Sequence, residues 1–199
     1  MIIVSFLVEE VRMGLEPVDA GPGGFKAALG SLAASVTVVT LRDGEGRPLG
    51  MTATAFSSVS VDPLLILVCV NRSTRTYEHI AGSGRFGVNV LGAVAREISD
   101  HCARPGADKV LRPDWLARWD DWRSPALAGA LAFLDCEVDR DVHAGTHAVL
   151  IGRVHGIGLS SAGAHHEPLL HFRGAYRQLR ARHHHPRPRP LPITLEESA

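Results

Sequence analysis

The stretch GMTATAFSSVS (50–60) carries hydroxyls at Thr52, Thr54, Ser57, Ser58 and Ser60. A strand built only to fill a core would carry Val, Ile and Leu on its buried face. Short hydroxyls on extended backbone are rigid donors, suited to a neutral or anionic polar ligand. A second polar run, NRSTRT (71–76), follows the apolar segment VDPLLILVCV (61–70). Asn89, Lys109 and His147 are the other residues that draw notice. Each of these also admits an ordinary structural role. Asn71 can end its strand, Ser73 or Thr74 can cap the next helix, Asn89 can sit on a polar strand face, and His147 can bond its own turn. Taken singly the structural role is the stronger reading; the combination is harder to set aside.

Other chemistries are missing from the sequence. There is no GxxxxGK[ST] loop, no GxGxxG between strand and helix, and no GxSxG elbow. His143 and His147 are four apart, but Ala-Gly-Thr between them belongs to a turn, which excludes a helical metal pair. His165, His166 and His183 to His185 fall in loop and tail, where metal binding would be adventitious. Lys plus Arg (21) balances Asp plus Glu (21), so no basic face points to nucleic acid. Cys69, Cys102 and Cys136 form no CxxC and read as buried thiols of a reducing cytoplasm. The opening MIIVSFLVEEVRMG lacks a basic lead and a cleavage site, and its apolar run is too short for a bilayer, so neither a signal peptide nor a membrane anchor is expected.

The elements that must position these residues follow from periodicity and turn chemistry. Residues 25–33 have helical spacing, 35–42 are β-branched and strand-like, and DGEGRP (43–48) is a turn. The hydroxyl-rich stretch 50–60 reads as one extended strand, with a break at Asp62-Pro63 before a strand at 64–70. A helix at 74–84, a strand at 85–91 and a helix at 92–103 come next. The segment 104–130, holding Trp115, Trp119 and Trp122, reads as irregular. In LDCEVDRDV (134–142), Leu134, Cys136 and Val138 alternate with Asp135, Glu137 and Asp139, the pattern of a half-exposed antiparallel strand. HAGTH (143–147) turns the chain into a strand at 147–159, and PLLHFRG (168–174) is the last. Residues 1–23 read as a flexible lead-in, 24–181 as one folded domain, and 182–199 as a disordered Pro-, Arg- and His-rich tail. Six or seven strands in runs, with two or three helices, predict a mainly β fold: an antiparallel barrel with helical decorations.

Taken in order, GMTATAFSSVSVDPLLILVCVNRSTRTYEHI, GRFGVNVL, PGADKV, ALAFLDCEV, HAGTHAVLIGRV and PLLHFRGAY resemble the flavin reductase-like family over about residues 25–179. These are the small reductase components of two-component flavin monooxygenases. The resemblance implies an FMN-binding split β-barrel of Greek-key-like antiparallel strands, a cytoplasmic homodimer that reduces FMN, or FAD, with NADH or NADPH. It further implies that Thr52, Ala53, Thr54, Ser57 and Ser58 contact the ring edge, ribityl chain and phosphate, and that Cys69, Val70 and Asn71 pass beside the ring. Ser73 and Thr76 would reach the phosphate, Phe86, Val88 and Asn89 would line the pocket, Lys109 would offset phosphate charge, and His147 would position the nicotinamide. Two departures stand out. Val110 follows Lys109 where the family commonly has an aromatic residue, and Thr146 precedes the histidine where an acid is common. A binding protein that holds FMN without turnover, and an oxidoreductase with tightly bound FMN acting on an organic substrate, remain alternatives. No basic cluster for a 2′-phosphate is evident, which favours NADH.

Overall fold

The computed structural model describes residues 14–106, 108–118, 121–161 and 167–179. Helix α1 (Pro22–Gly30) opens with Pro22 at its first turn, so residues 22 and 23, counted above with the lead-in, are helical. Strands β1 (Ala34–Ser35), β2 (Thr37–Arg42), β3 (Pro48–Ala53), β4 (Phe56–Ser60) and β5 (Leu65–Asn71) follow. After them come α2 (Arg75–Ser83), β6 (Arg85–Leu91), α3 (Arg96–Ala103), β7 (Ala130–Ala144), β8 (His147–Leu159), β9 (Leu170–Phe172) and β10 (Ala175–Arg177). The predicted tail lies outside the described residues, as do Trp119, His165 and His166.

Seven strands form one antiparallel sheet in the order β3-β2-β6-β7-β8-β5-β4. The edge strands β3 and β4 are consecutive in sequence, joined by Thr54 and Ala55 alone. The hydroxyl-rich stretch is therefore two strands, not one. It passes from one edge of the sheet to the other and curls the sheet into a barrel. The Cys69 amide donates to the Ala55 carbonyl (3.0 Å) and fixes the crossing to β5. A smaller sheet, β1-β9-β10, stands beside the barrel.

The barrel interior is filled by Val39, Leu41, Val68, Val70, Phe86, Val88 and Leu150, all at most 1% exposed. A second core, with Val38, Leu91, Ile98, Cys102, Leu111 and Trp115, lies under α3. Strand β2 feeds both cores, since Val39 and Leu41 point one way and Val38 the other. Burial pushes the Cys102 and Cys136 thiols up to about 12, so both stay protonated at neutral pH and pack as small apolar groups.

Two polar groups expected on the solvent side are interior. Asn89 is 0% exposed. Its Nδ2 donates to Val38 O (3.3 Å) and Thr40 Oγ1 (3.1 Å), and its Oδ1 accepts from Leu127 N (2.8 Å). Asp135 accepts from Arg123 N (2.9 Å) and Ser124 N (3.2 Å), so β7 is not half-exposed at that point. Both residues pin the irregular segment 121–127 onto the sheet, satisfying backbone that a strand would otherwise pair. Trp122 stacks on Phe133 at 4.6 Å between ring centres and lies over Gly156 and Gly158.

Gly152 marks a tight point of the barrel interior. A Cβ there would lie 2.5 Å from Phe86 Cζ and 3.2 Å from Cys136 Cβ. Gly152→Val should therefore overpack the barrel and lower unfolding free energy by about 1–3 kcal/mol. Chemical denaturation checks this; an unchanged midpoint would mean that Phe86 has room to move.

Candidate functional site

A cleft of about 550 Å³ opens between the start of β3, the first turn of α2 and the loop after α3. Three cations line it: Arg47, Arg75 and Lys109; Asp108 is the one carboxylate among its lining residues. The turn 43–47 sets Arg47 in place. Asp43 Oδ1 accepts from the amides of Glu45 (3.0 Å) and Arg47 (2.8 Å), and Oδ2 accepts from Arg47 Nε (2.8 Å). Burial alone would raise the Asp43 carboxyl; the Arg47 side chain and these two amides outweigh it and hold the group below the usual Asp range.

The start of α2 is built from the predicted polar run. Thr74 is the N-cap, accepting from Tyr77 N (3.3 Å) while donating to Asn71 O (2.7 Å). Asn71 Oδ1 accepts from both the amide (2.9 Å) and the hydroxyl (2.8 Å) of Ser73. This locks the loop and leaves the first-turn amides of Arg75 and Thr76 without intrahelical partners, beside the cleft. The helix dipole adds partial positive charge there. Three cations and free amides form a donor set that fits a phosphate group. Thr76 supplies its amide rather than its hydroxyl, because its side chain is buried.

The free edge of β3 continues from this cleft. Pro48 O accepts from Leu111 N (2.8 Å) and Gly50 N donates to Lys109 O (3.1 Å), so residues 48 and 50 face away from β2. By strand alternation the Thr52 amide and carbonyl point the same way. The Thr52 hydroxyl is already spent on Ser99 O (2.7 Å). Thr54, Ser57 and Ser58 are exposed along the crossing and on β4, with Ser57 Oγ donating to Ser58 O (3.1 Å). Ala53 packs against the barrel core.

His147 opens β8 directly opposite Asn71 of β5. It is exposed, with Nδ1 2.9 Å from Thr146 Oγ1. The turn is tied to the cleft by Arg72 N donating to Thr146 O (3.0 Å). The side chains add a latch: Tyr77 Oη of α2 donates to Asp141 Oδ2 (2.7 Å) and lies 2.9 Å from His143 Nε2. The bond to Asp141, with burial second, pushes the Tyr77 phenol above its ordinary value and keeps it a donor.

The structure thus gathers Ser73, Thr76 and Lys109 at the cleft, with Thr52 to Thr54 along the adjoining strand edge; Asn71 and His147 face each other on β5 and β8, outside the cleft lining. Cys69 is half-buried on the outward face of β5. The side chains of Val70, Phe86, Val88 and Asn89 are fully buried and do not line the cleft. Arg47 was missed by sequence reasoning; its signal was the acid four residues earlier in DGEGR, which registers only as turn chemistry. Arg75 was visible only as part of the polar run.

Tyr77→Phe removes the latch hydroxyl and keeps the ring. Amide exchange across 141–147 should rise about fivefold while α2 exchange stays unchanged. Equal protection in the two proteins would show that backbone pairing alone holds the hairpin.

Residues 29–180 match the flavin reductase like domain. A probable flavin reductase of Rhizobium meliloti is 40% identical over 67% of this chain, which covers 42% of that protein. The reductase subunit of a flavin-dependent monooxygenase from Rhodococcus jostii is 35% identical over 87% of this chain and 85% of its own length. The NADH:FAD oxidoreductase of Streptomyces globisporus, solved with NAD and FAD fragments, superposes with a TM-score of 0.74 at 28% identity, over 84% of this chain and 98% of that one. The chain spans about half the length of the first relatives it matches, 42%, 46% and 57%. Since the matched region takes in the barrel, α2 with its cleft and His147, the chain belongs to the flavin reductase like domain family.

Proposed function

We propose that this protein is an NAD(P)H:flavin oxidoreductase that reduces free FMN, or FAD, and supplies the reduced flavin to a separate monooxygenase. The carrying observation is the cationic cleft at the α2 N-terminus, which continues into the free edge of β3. Arg47, Arg75, Lys109 and the first-turn amides would hold the flavin phosphate, and the Thr52 amide would meet the polar edge of the ring. Bound flavin supplies the two-electron acceptor, taking hydride at N5 from the nicotinamide, and asks the protein for alignment rather than for a strong acid or base. The absence of a nucleophile triad from the sequence fits that demand. His147, opposite Asn71, is assigned to positioning the nicotinamide.

The reading includes a homodimer. Leu65, Leu67 and Cys69 of β5 and Val149 and Ile151 of β8 form an apolar, half-exposed outer face, with Leu67 opposite Ile151 and Cys69 opposite Val149. That face runs up to Asn71 and His147, so a second copy seated on it would border the site. No helix among the described residues is long and apolar enough to cross a membrane, and a cytoplasmic location is part of the same proposal. NADH is the assigned reductant, on the lack of a basic cluster for a 2′-phosphate and on the name of the Streptomyces globisporus relative.

Oxidation of NADH by the purified protein, with and without added FMN, tests the reading. Turnover should depend on added FMN, and the protein should purify with little bound flavin. A yellow protein whose rate ignores added FMN would instead carry a prosthetic flavin. His147→Ala should lower kcat/KM for NADH about tenfold, roughly 1.4 kcal/mol of transition-state stabilisation, with FMN affinity unchanged. An unaltered kcat/KM would return His147 to a role in its turn.

A further inference from the structure

Beyond Val138, strand β7 has a partner strand on one side only. Its pairing with β6 runs from Ala130 opposite Leu91 to Glu137 opposite Arg85, and Val138 N donating to Gly84 O (2.8 Å) closes that edge. Its pairing with β8 continues to Ala144 opposite His147. Residues 139–147 are therefore the tip of a two-stranded ribbon, a form that is marginal in water without further packing. On the β8 side, β5 supports the ribbon up to Asn71 opposite His147, and Arg72 N donates to Thr146 O (3.0 Å). On the β7 side, Tyr77 of α2 takes the place of a strand.

Asp141 and His143 are two residues apart and share the face of their partners Leu150 and Ala148, both buried in the barrel core. Tyr77 packs against that core and meets this face with its hydroxyl. The hydroxyl has one proton, given to Asp141 Oδ2 (2.7 Å), so its contact with His143 Nε2 (2.9 Å) makes the imidazole the donor. His143, Tyr77 and Asp141 thus form one directed chain. His147 directly precedes Ala148 and takes the opposite face, so the chain steadies the ribbon without occupying the space beside the histidine.

The backbone of Tyr77 belongs to the cleft. Its amide donates to Thr74 Oγ1 (3.3 Å), the cap of the turn whose free Arg75 and Thr76 amides lie beside the cleft. One residue joins the anion-binding turn of α2 to the ribbon that carries His147. An anion held by that turn limits its fraying, and Tyr77 passes the added order to the ribbon.

We propose that Tyr77 is a positioning residue: through Asp141 and His143 it sets His147, most firmly when a phosphate occupies the start of α2. Binding of the flavin phosphate thereby prepares the protein for the nicotinamide. This rests on the flavin reductase reading above.

The test joins amide exchange to kinetics on the full chain. FMN should slow exchange at residues 141–147 about fivefold in the wild type and leave it unchanged in Tyr77→Phe, with equal FMN affinity by fluorescence titration. Tyr77→Phe should lower kcat/KM for NADH about fivefold, and should add nothing to the loss in His147→Ala. Asp141→Asn, which keeps an acceptor for the Tyr77 hydroxyl, should lose less. Exchange slowed equally in wild type and Tyr77→Phe, or in neither, would overturn the proposal, as would losses that add in Tyr77→Phe/His147→Ala. If the wild type neither binds nor reduces FMN, the reductase reading falls, while exchange in inorganic phosphate still decides the coupling.

Discussion

The crossing at Thr54-Ala55 is the constraint on which the rest of the structure depends. Two residues carry the chain from the β3 edge to the β4 edge of a seven-stranded sheet, so the sheet must curl. Curling brings the two edge strands together at the crossing and creates one enclosed space, filled by Phe86, Val68, Val70 and Leu150. It also leaves the far end of β3 without a second partner strand, where the loop at Lys109 and Val110 meets it instead. A flat sheet of the same strands would have neither the core nor this half-open edge beside α2.

The candidate site is then a matter of which backbone groups are spent and which are left. At α2 the side chains of Asn71, Ser73 and Thr74 satisfy one another and the loop, and the donors left over are backbone amides. At β3 the Thr52 hydroxyl is consumed by Ser99, and the amide is what faces outward. The hydroxyls thus act largely as scaffolding that presents main-chain donors, with the charge supplied by Arg47, Arg75 and Lys109. Main-chain donors are held more firmly than long side chains, which favours pre-organisation over reach.

Strand and helix identities were legible in the sequence because periodicity is local: β2, β5, β6, β8 and α2 lie within a few residues of where the pattern puts them. The split of the hydroxyl-rich stretch was not legible, since no Pro or Gly marks Thr54-Ala55 and both halves are extended. Phe86, Val88 and Asn89 shared a strand with a plausible pocket, but period two does not say which face meets a ligand and which meets a core. Asn89 shows the difficulty best: a buried amide serving Leu127, thirty-eight residues away, looks in sequence like a binding residue. Arg47 escaped notice because its partner Asp43 and its turn explain it locally, whereas its use depends on α2 and Lys109 arriving from elsewhere in the chain.

The pairing of β1 has a consequence for biosynthesis. Ala34 and Ser35 find their partners only at Leu170 and His171, and the Val36 amide reaches Leu169 O at 2.8 Å. The ribosome releases β1 long before β9, so the small sheet is assembled after the barrel's strands have emerged. Until then β1 must wait as unpaired backbone, while Val36 beside it already has a partner in β6, accepting from the Leu91 amide at 3.0 Å. Late completion of this kind exposes the nascent chain to misassembly during translation and makes the β9–β10 hairpin the clasp that ends it.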